Sequence, residues 1–154
     1  MGYYVSGTGS FTIKKENLDA AHAALVALQD APDSAKGGGA YGGLNDGKRW
    51  FSWMPEDLRT LTSAKEVFEA LGFECDIEDG NLIVGGYDSK IGQEDVFACA
   101  AAPYIEDGEY EWTGEDGEFW AWKFISGRMF ILEGRRVYSH ASPAEVKLES
   151  LLKG

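Results

Sequence analysis

The stretch from Glu109 to Glu133 constrains the fold more than any other part of the chain. It reads as three strands, Glu109 to Gly114, Glu118 to Ile125 and Arg128 to Glu133, dense in aromatic and aliphatic residues. The links between them, Glu115-Asp-Gly117 and Ser126-Gly127, hold only tight turns. A parallel pair needs a crossover of a dozen residues or more, so these neighbours must run antiparallel, as a meander. Period-two alternation puts Trp120, Trp122 and Phe124 on one face of the middle strand, opposite Phe119, Ala121 and Lys123. The face with three aromatics is expected to be core, packed against helices at Leu25 and Phe68.

Upstream, strands and helices mix. Tyr3 to Lys14 predicts a strand or bent strand pair with Tyr3, Val5, Phe11 and Ile13 on one parity, interrupted by Gly7 and Gly9. Asn17 reads as the N-cap of a helix carrying Leu18, Ala21, Leu25 and Leu28, which ends before Pro32. The segment from Asp30 to Gly47 holds six glycines and predicts a mobile loop. Arg49 to Met54 is β-prone and predicts a strand closed by Pro55. Ser63 and Glu66 have capping-box spacing before a second helix with Val67, Phe68 and Leu71 inward. Phe73 to Ile77 and Leu82 to Tyr87 predict a hairpin around Glu78-Asp-Gly-Asn81. A third helix spans roughly Gln93 to Ala102, with Val96, Phe97 and Ala100 inward. Ser142 is expected to open a last helix, appended over residues 141–154, with Val146, Leu148, Leu151 and Leu152. These elements predict one α+β domain over residues 1–154: a mixed but mainly antiparallel sheet ending in the meander, with three helices packed on it and the extra C-terminal helix.

Composition narrows the function classes. With 44% hydrophobic residues in 154, the chain can bury a real core. Asp plus Glu number 26 against 14 Lys plus Arg, a net charge of -12, which argues against direct nucleic-acid binding and against an anionic membrane surface. No apolar run reaches the ~18 residues of a spanning helix. The opening residues lack the basic and apolar regions of a secretory signal, and Cys75 and Cys99 make no disulfide framework. The expectation is a reduced, cytoplasmic protein.

Catalytic motifs find little support. Gly42 to Lys48 fits seven positions of a phosphate-binding loop, but Arg49 stands where Ser or Thr must hold magnesium, and a strand rather than a helix is expected next. Gly37, Gly39 and Gly42 satisfy a dinucleotide fingerprint without its flanking strand and helix. His22 lies within the first helix and His140 in the link to the last. Cys99 reads as a small buried helical residue and Cys75 as an ordinary strand residue, so no activated thiolate is expected. Acids from Asp107 to Glu118 echo a calcium loop, yet Trp112 occupies the position that must be glycine. These observations predict a non-enzyme with no cofactor and no metal.

What remains is an acid-rich stretch. Glu106 to Glu118 holds seven acids and no base in thirteen residues: Glu106, Asp107, Glu109, Glu111, Glu115, Asp116 and Glu118. Charged strand faces keep sheets soluble and unaggregated. They also present an electronegative surface to a basic partner, because carboxylates spaced along a strand can occupy a groove built for phosphates. In that role Trp112 is the expected aromatic anchor, with Phe119 as the more exposed companion. The competing reading is a small-ligand binder, such as a sequestering protein for a signalling nucleotide. It would use the glycine loop, Lys36, Lys48 and Arg49, with Trp50 or Trp53 stacking a base.

Several segments also resemble small proteins of phages and prophages of Gram-positive bacteria. They are Gly2-Tyr-Tyr-Val5, Trp50-Phe-Ser-Trp53, Gln93-Glu-Asp-Val-Phe97, Ala102-Pro-Tyr-Ile-Glu-Asp-Gly108 and Gly114-Glu-Asp-Gly-Glu-Phe-Trp-Ala-Trp122. The resemblance implies a mobile-element setting inside a bacterial host, where small acidic proteins block defence enzymes, anti-CRISPR proteins among them. The residues after Ser142 look like an extension beyond the usual end of such proteins.

Overall fold

The computed structural model describes residues 3–38 and 49–153. The glycine-loop residues 39–47 and Lys48, with the phosphate-loop match that uses them, lie outside the described residues. The chain is α+β: the described residues form four α-helices and a seven-stranded sheet in which every strand pairing is antiparallel.

Strand β1 (Tyr4–Gly9) and β2 (Phe11–Ile13) are one bent strand. The bend falls at Gly9, whose φ of 98° is open to glycine and strained for other residues. Beyond it the chain resumes on the same parity, so Val5, Phe11 and Ile13 all point into the core. Strand β4 (Asn81–Lys90) runs along both pieces, Leu82 to Val84 against β2 and Tyr87 to Lys90 against β1. Its other edge takes β3 (Phe73–Glu78) through a turn at Asp79 and Gly80, both at positive φ. On the far side of β1 come β5 (Gly108–Gly114), β6 (Phe119–Ile125) and β7 (Arg128–Glu133), the expected meander.

Helices α1 (Leu18–Val26), α2 (Ala64–Leu71) and α3 (Glu94–Ala101) lie on one side of this sheet. The Ser63 hydroxyl accepts from the Glu66 amide at 3.1 Å, as its capping spacing predicts. The Glu66 carboxylate, however, receives the Thr62 amide and hydroxyl, one residue before the cap. Those bonds hold the Glu66 carboxyl below its ordinary range. The core is largely aromatic. Phe11 packs at 5.5 Å from Phe68 and 5.4 Å from Tyr110, and Phe73 touches both Tyr87 and Trp112.

Three expectations are corrected. Arg49 to Met54 is not a strand but a compact turn, in which the Met54 amide donates to the Phe51 carbonyl at 3.2 Å. The Arg49 guanidinium ties it by donating to the Ser52 and Met54 carbonyls. Trp50 and Phe51 bury singly against Phe97, so packing overrides β-propensity here. On α3 the inward residues are Phe97, Ala98 and Ala101, with Val96 and Ala100 half-buried and Cys99 exposed rather than buried. The C-terminal helix shrinks to one turn, α4 (Leu148–Leu151), and Val146, Leu148, Leu151 and Leu152 are exposed. With no apolar face to cover, so short a helix has little to stabilise it. The Trp122 ring meets Phe11, Phe73, Tyr110 and Trp112 directly, and both Phe11 and Phe73 pack in turn against Phe68 of α2.

Candidate functional site

Strand register and burial divide the sheet into a covered and a bare face. Val5, Leu82, Val84, Tyr110, Trp112, Trp122 and Phe124 point toward the helices and are buried. The opposite side carries exposed Ser6 and Thr8 on β1, Asp88 on β4, Glu74 and Asp76 on β3, and Glu109, Glu111 and Thr113 on β5. Hydroxyls and carboxylates therefore dominate its first four strands. Its far end, on β6 and β7, turns apolar at Ala121, Phe130 and Leu132, which adjoin one another across the strands.

All seven predicted acids are exposed, yet they do not form one cluster. Glu106 pairs with Lys14 at 3.2 Å, and Asp107 accepts the Ser126 amide at 2.8 Å, so these two brace the lower end of β5. Glu109 and Glu111 stand on the bare face, Glu109 opposite Lys123 with an ion pair at 3.6 Å, Glu111 between Thr8 and Ala121. Glu115, Asp116 and Glu118 sit at the opposite end of β5, in the turn to β6, where Glu118 receives the Tyr3 hydroxyl. Phe119 is half-buried beside Gly134, whose amide donates to its carbonyl at 3.1 Å. Trp112 is the clear correction. Its side chain lies on the covered face and is 2% exposed, so it cannot anchor a surface contact.

The groups proposed for a nucleotide are largely committed to the fold. The Lys36 ammonium is buried, donating to the Gln29 carbonyl at 2.9 Å and pairing with Asp33 at 3.7 Å. The indole N–H groups of Trp50 and Trp53 donate to the carbonyls of Leu28 and Leu71. His22 donates to the Leu61 carbonyl at 2.6 Å, a packing role. Burial pushes the Cys75 thiol up to about 12, away from thiolate chemistry.

No protein family, curated protein or solved structure matches the chain. Among the described residues no group of three or more His, Cys, Asp or Glu is placed to hold a metal, and no helix is long and apolar enough to cross a membrane.

One ionisable group was not legible in the sequence. Glu94, in the first turn of α3, is 3% exposed. Its Oε1 accepts the Tyr87 hydroxyl at 2.7 Å and the Gly92 amide at 2.9 Å, and its Oε2 accepts the same amide at 3.0 Å. Burial raises its pKa, and these hydrogen bonds recover only part of the shift. The folded carboxyl thus keeps its proton above the ~4.3 of an unfolded glutamate. In that window the unfolded state binds fewer protons, so stability falls as pH rises. Glu94→Gln has no such proton to lose. The wild-type melting temperature should therefore decline relative to that variant as pH rises above the ~4.3 of an unfolded glutamate. Parallel melting curves across the window would contradict this.

Proposed function

We propose that the protein binds and inhibits a basic, nucleic-acid-handling host protein through the bare acidic face of its sheet. The setting implied by the sequence resemblance makes a bacterial defence effector, of the CRISPR kind, the partner class. The observation that carries this reading is the one-sided architecture. Among the described residues three helices cover one face, and the other carries exposed Glu74 and Asp76 on β3, Asp88 on β4, and Glu109 and Glu111 on β5, with Ser6 and Thr8 of β1 between β4 and β5. Side chains two apart on a strand stand ~7 Å from each other, and neighbouring strands are ~4.8 Å apart. Rows of carboxylates at such spacings complement a cationic groove and speed association with it. Serine and threonine hydroxyls between them add neutral hydrogen-bonding capacity.

The test is capture from a Gram-positive host lysate, followed by binding to the purified partner over a salt series. The expected partner is a nucleic-acid-binding protein whose complex weakens steeply between ~50 and ~200 mM salt and is displaced by its own nucleic acid. Reversing Glu109, Glu111 and Glu115 to Lys should weaken that complex by about a hundredfold or more. The melting temperature should barely move, since exposed charges contribute little to folding. A triple variant that binds as wild type does, or a complex indifferent to salt, would sink the proposal.

A further inference from the structure

A second site lies on the covered side of the sheet, where the N-terminal end of α3 meets β5, β6 and β7. Ile91, Gly92, Glu94 and Asp95 form one wall, and Trp112, Trp120, Trp122 and Ile131 the other, around a cavity of about 130 Å³. That is well below the ~300–1,000 Å³ of drug-sized pockets, so an occupant must be small. Trp112 and Trp120 are parallel within 7° at 6.2 Å, and Trp122 stands at 62° to Trp112 with centroids 4.8 Å apart. Three indoles thus border the cavity in two orientations, with half-buried Trp120 the most exposed of them. Among the described residues the ionisable groups in the lining are two carboxylates, Glu94 and Asp95, with no cation beside them. Aromatic faces and carboxylates all favour positive charge, whereas a phosphate or other anion would meet only repulsion.

A further observation concerns Trp112, one of the residues that line this cavity. The indole N–H of Trp112 is buried and has no hydrogen-bond partner among the described residues. Burying such a donor unpaired is costly, and groups of this kind are normally satisfied. Trp50 and Trp53 illustrate the norm, each donating to a backbone carbonyl. An occupant with an oxygen acceptor would satisfy Trp112, and a cationic centre would offset the burial of the Glu94 carboxylate.

We propose that this pocket binds a small alkylated ammonium ion bearing an oxygen acceptor, its cationic head against the tryptophan rings and the acceptor on the Trp112 indole. The inference is independent of the acidic face, which lies on the other side of the sheet. The probes are choline, tetramethylammonium, which lacks the acceptor, and 3,3-dimethylbutan-1-ol, a neutral isostere of choline. Each is titrated against the full chain by tryptophan fluorescence and calorimetry. Choline should bind saturably, with both controls weaker and the neutral isostere weaker by about tenfold. Trp120→Ala removes a half-buried wall and should weaken choline by about tenfold. Asp95→Asn, at an exposed carboxylate, should weaken it severalfold while circular dichroism and melting stay those of wild type. Absence of saturable choline binding, equal affinity for either control, or full affinity in a folded Asp95→Asn variant would each overturn the proposal.

Discussion

Replacing Trp122 by Ala is expected to cost about 3–5 kcal/mol, the range for truncating a buried aromatic ring. The side chain is 2% exposed and sits amid Phe11, Phe73, Tyr110, Trp112 and Phe124, with ring centroids between 4.8 and 6.4 Å. These rings come from β2, β3, β5 and β6, so the cavity left behind would open onto four strands at once and could not close by moving one of them. Against a total stability of about 5–15 kcal/mol, such a loss leaves a marginal fold. Denaturant melts of wild type and variant give the answer. A variant with an unchanged midpoint would mean that Trp122 does not occupy the core.

Gly7→Ala is expected to be nearly as damaging, at about 3 kcal/mol, by overpacking rather than by a cavity. A Cβ there would stand 2.6 Å from Cε2 and 2.8 Å from Cζ of Tyr110. Tyr110 cannot readily give way, because it is fully buried and its hydroxyl donates to the Gly85 carbonyl at 2.7 Å. Gly7 itself is fixed between Tyr87 on β4 and Trp112 on β5. The companion variant Tyr110→Phe in the Gly7→Ala background removes the hydroxyl that the new methyl meets first, and should recover part of the loss. If Gly7→Ala alone melts as wild type does, the tyrosine ring has room that the packing denies.

The sheet was legible because its signals are local and redundant. Alternation set the faces of β5 and β6, and Asp79-Gly80 and Ser126-Gly127 supply the positive φ angles that short hairpins need. The same alternation already placed Trp112 beside Tyr110, opposite Glu109 and Glu111. Its assignment as a surface anchor therefore went against the parity of its own strand. Other features had no local signature. Trp50 and Phe51 have strand-like composition, yet their conformation is dictated by Phe97, nearly fifty positions away, and by the Leu28 carbonyl. Glu94 reads as an ordinary first-turn acid, favourable at a helix start. Only the approach of Tyr87 and of the Gly92 amide makes it a buried group. The pocket beside it joins residues from α3 with residues from three strands, a juxtaposition that periodicity does not encode.

The place of β1 has a consequence for biosynthesis. The first strand among the described residues is an inner strand, with Tyr4 opposite Lys90 and Val5 opposite both Ser89 and Gly114. A nascent chain leaving the ribosome would expose β1 with both hydrogen-bonding edges unmet until β4 and then β5 follow it out. At ~5–20 residues per second that interval lasts several seconds, long compared with the formation of α1 or of the β3–β4 hairpin. Closure of the sheet thus waits on the synthesis of β5. A translational pause before residue 114 would prolong the time in which an unpaired strand is offered to chaperones or to a neighbouring nascent chain.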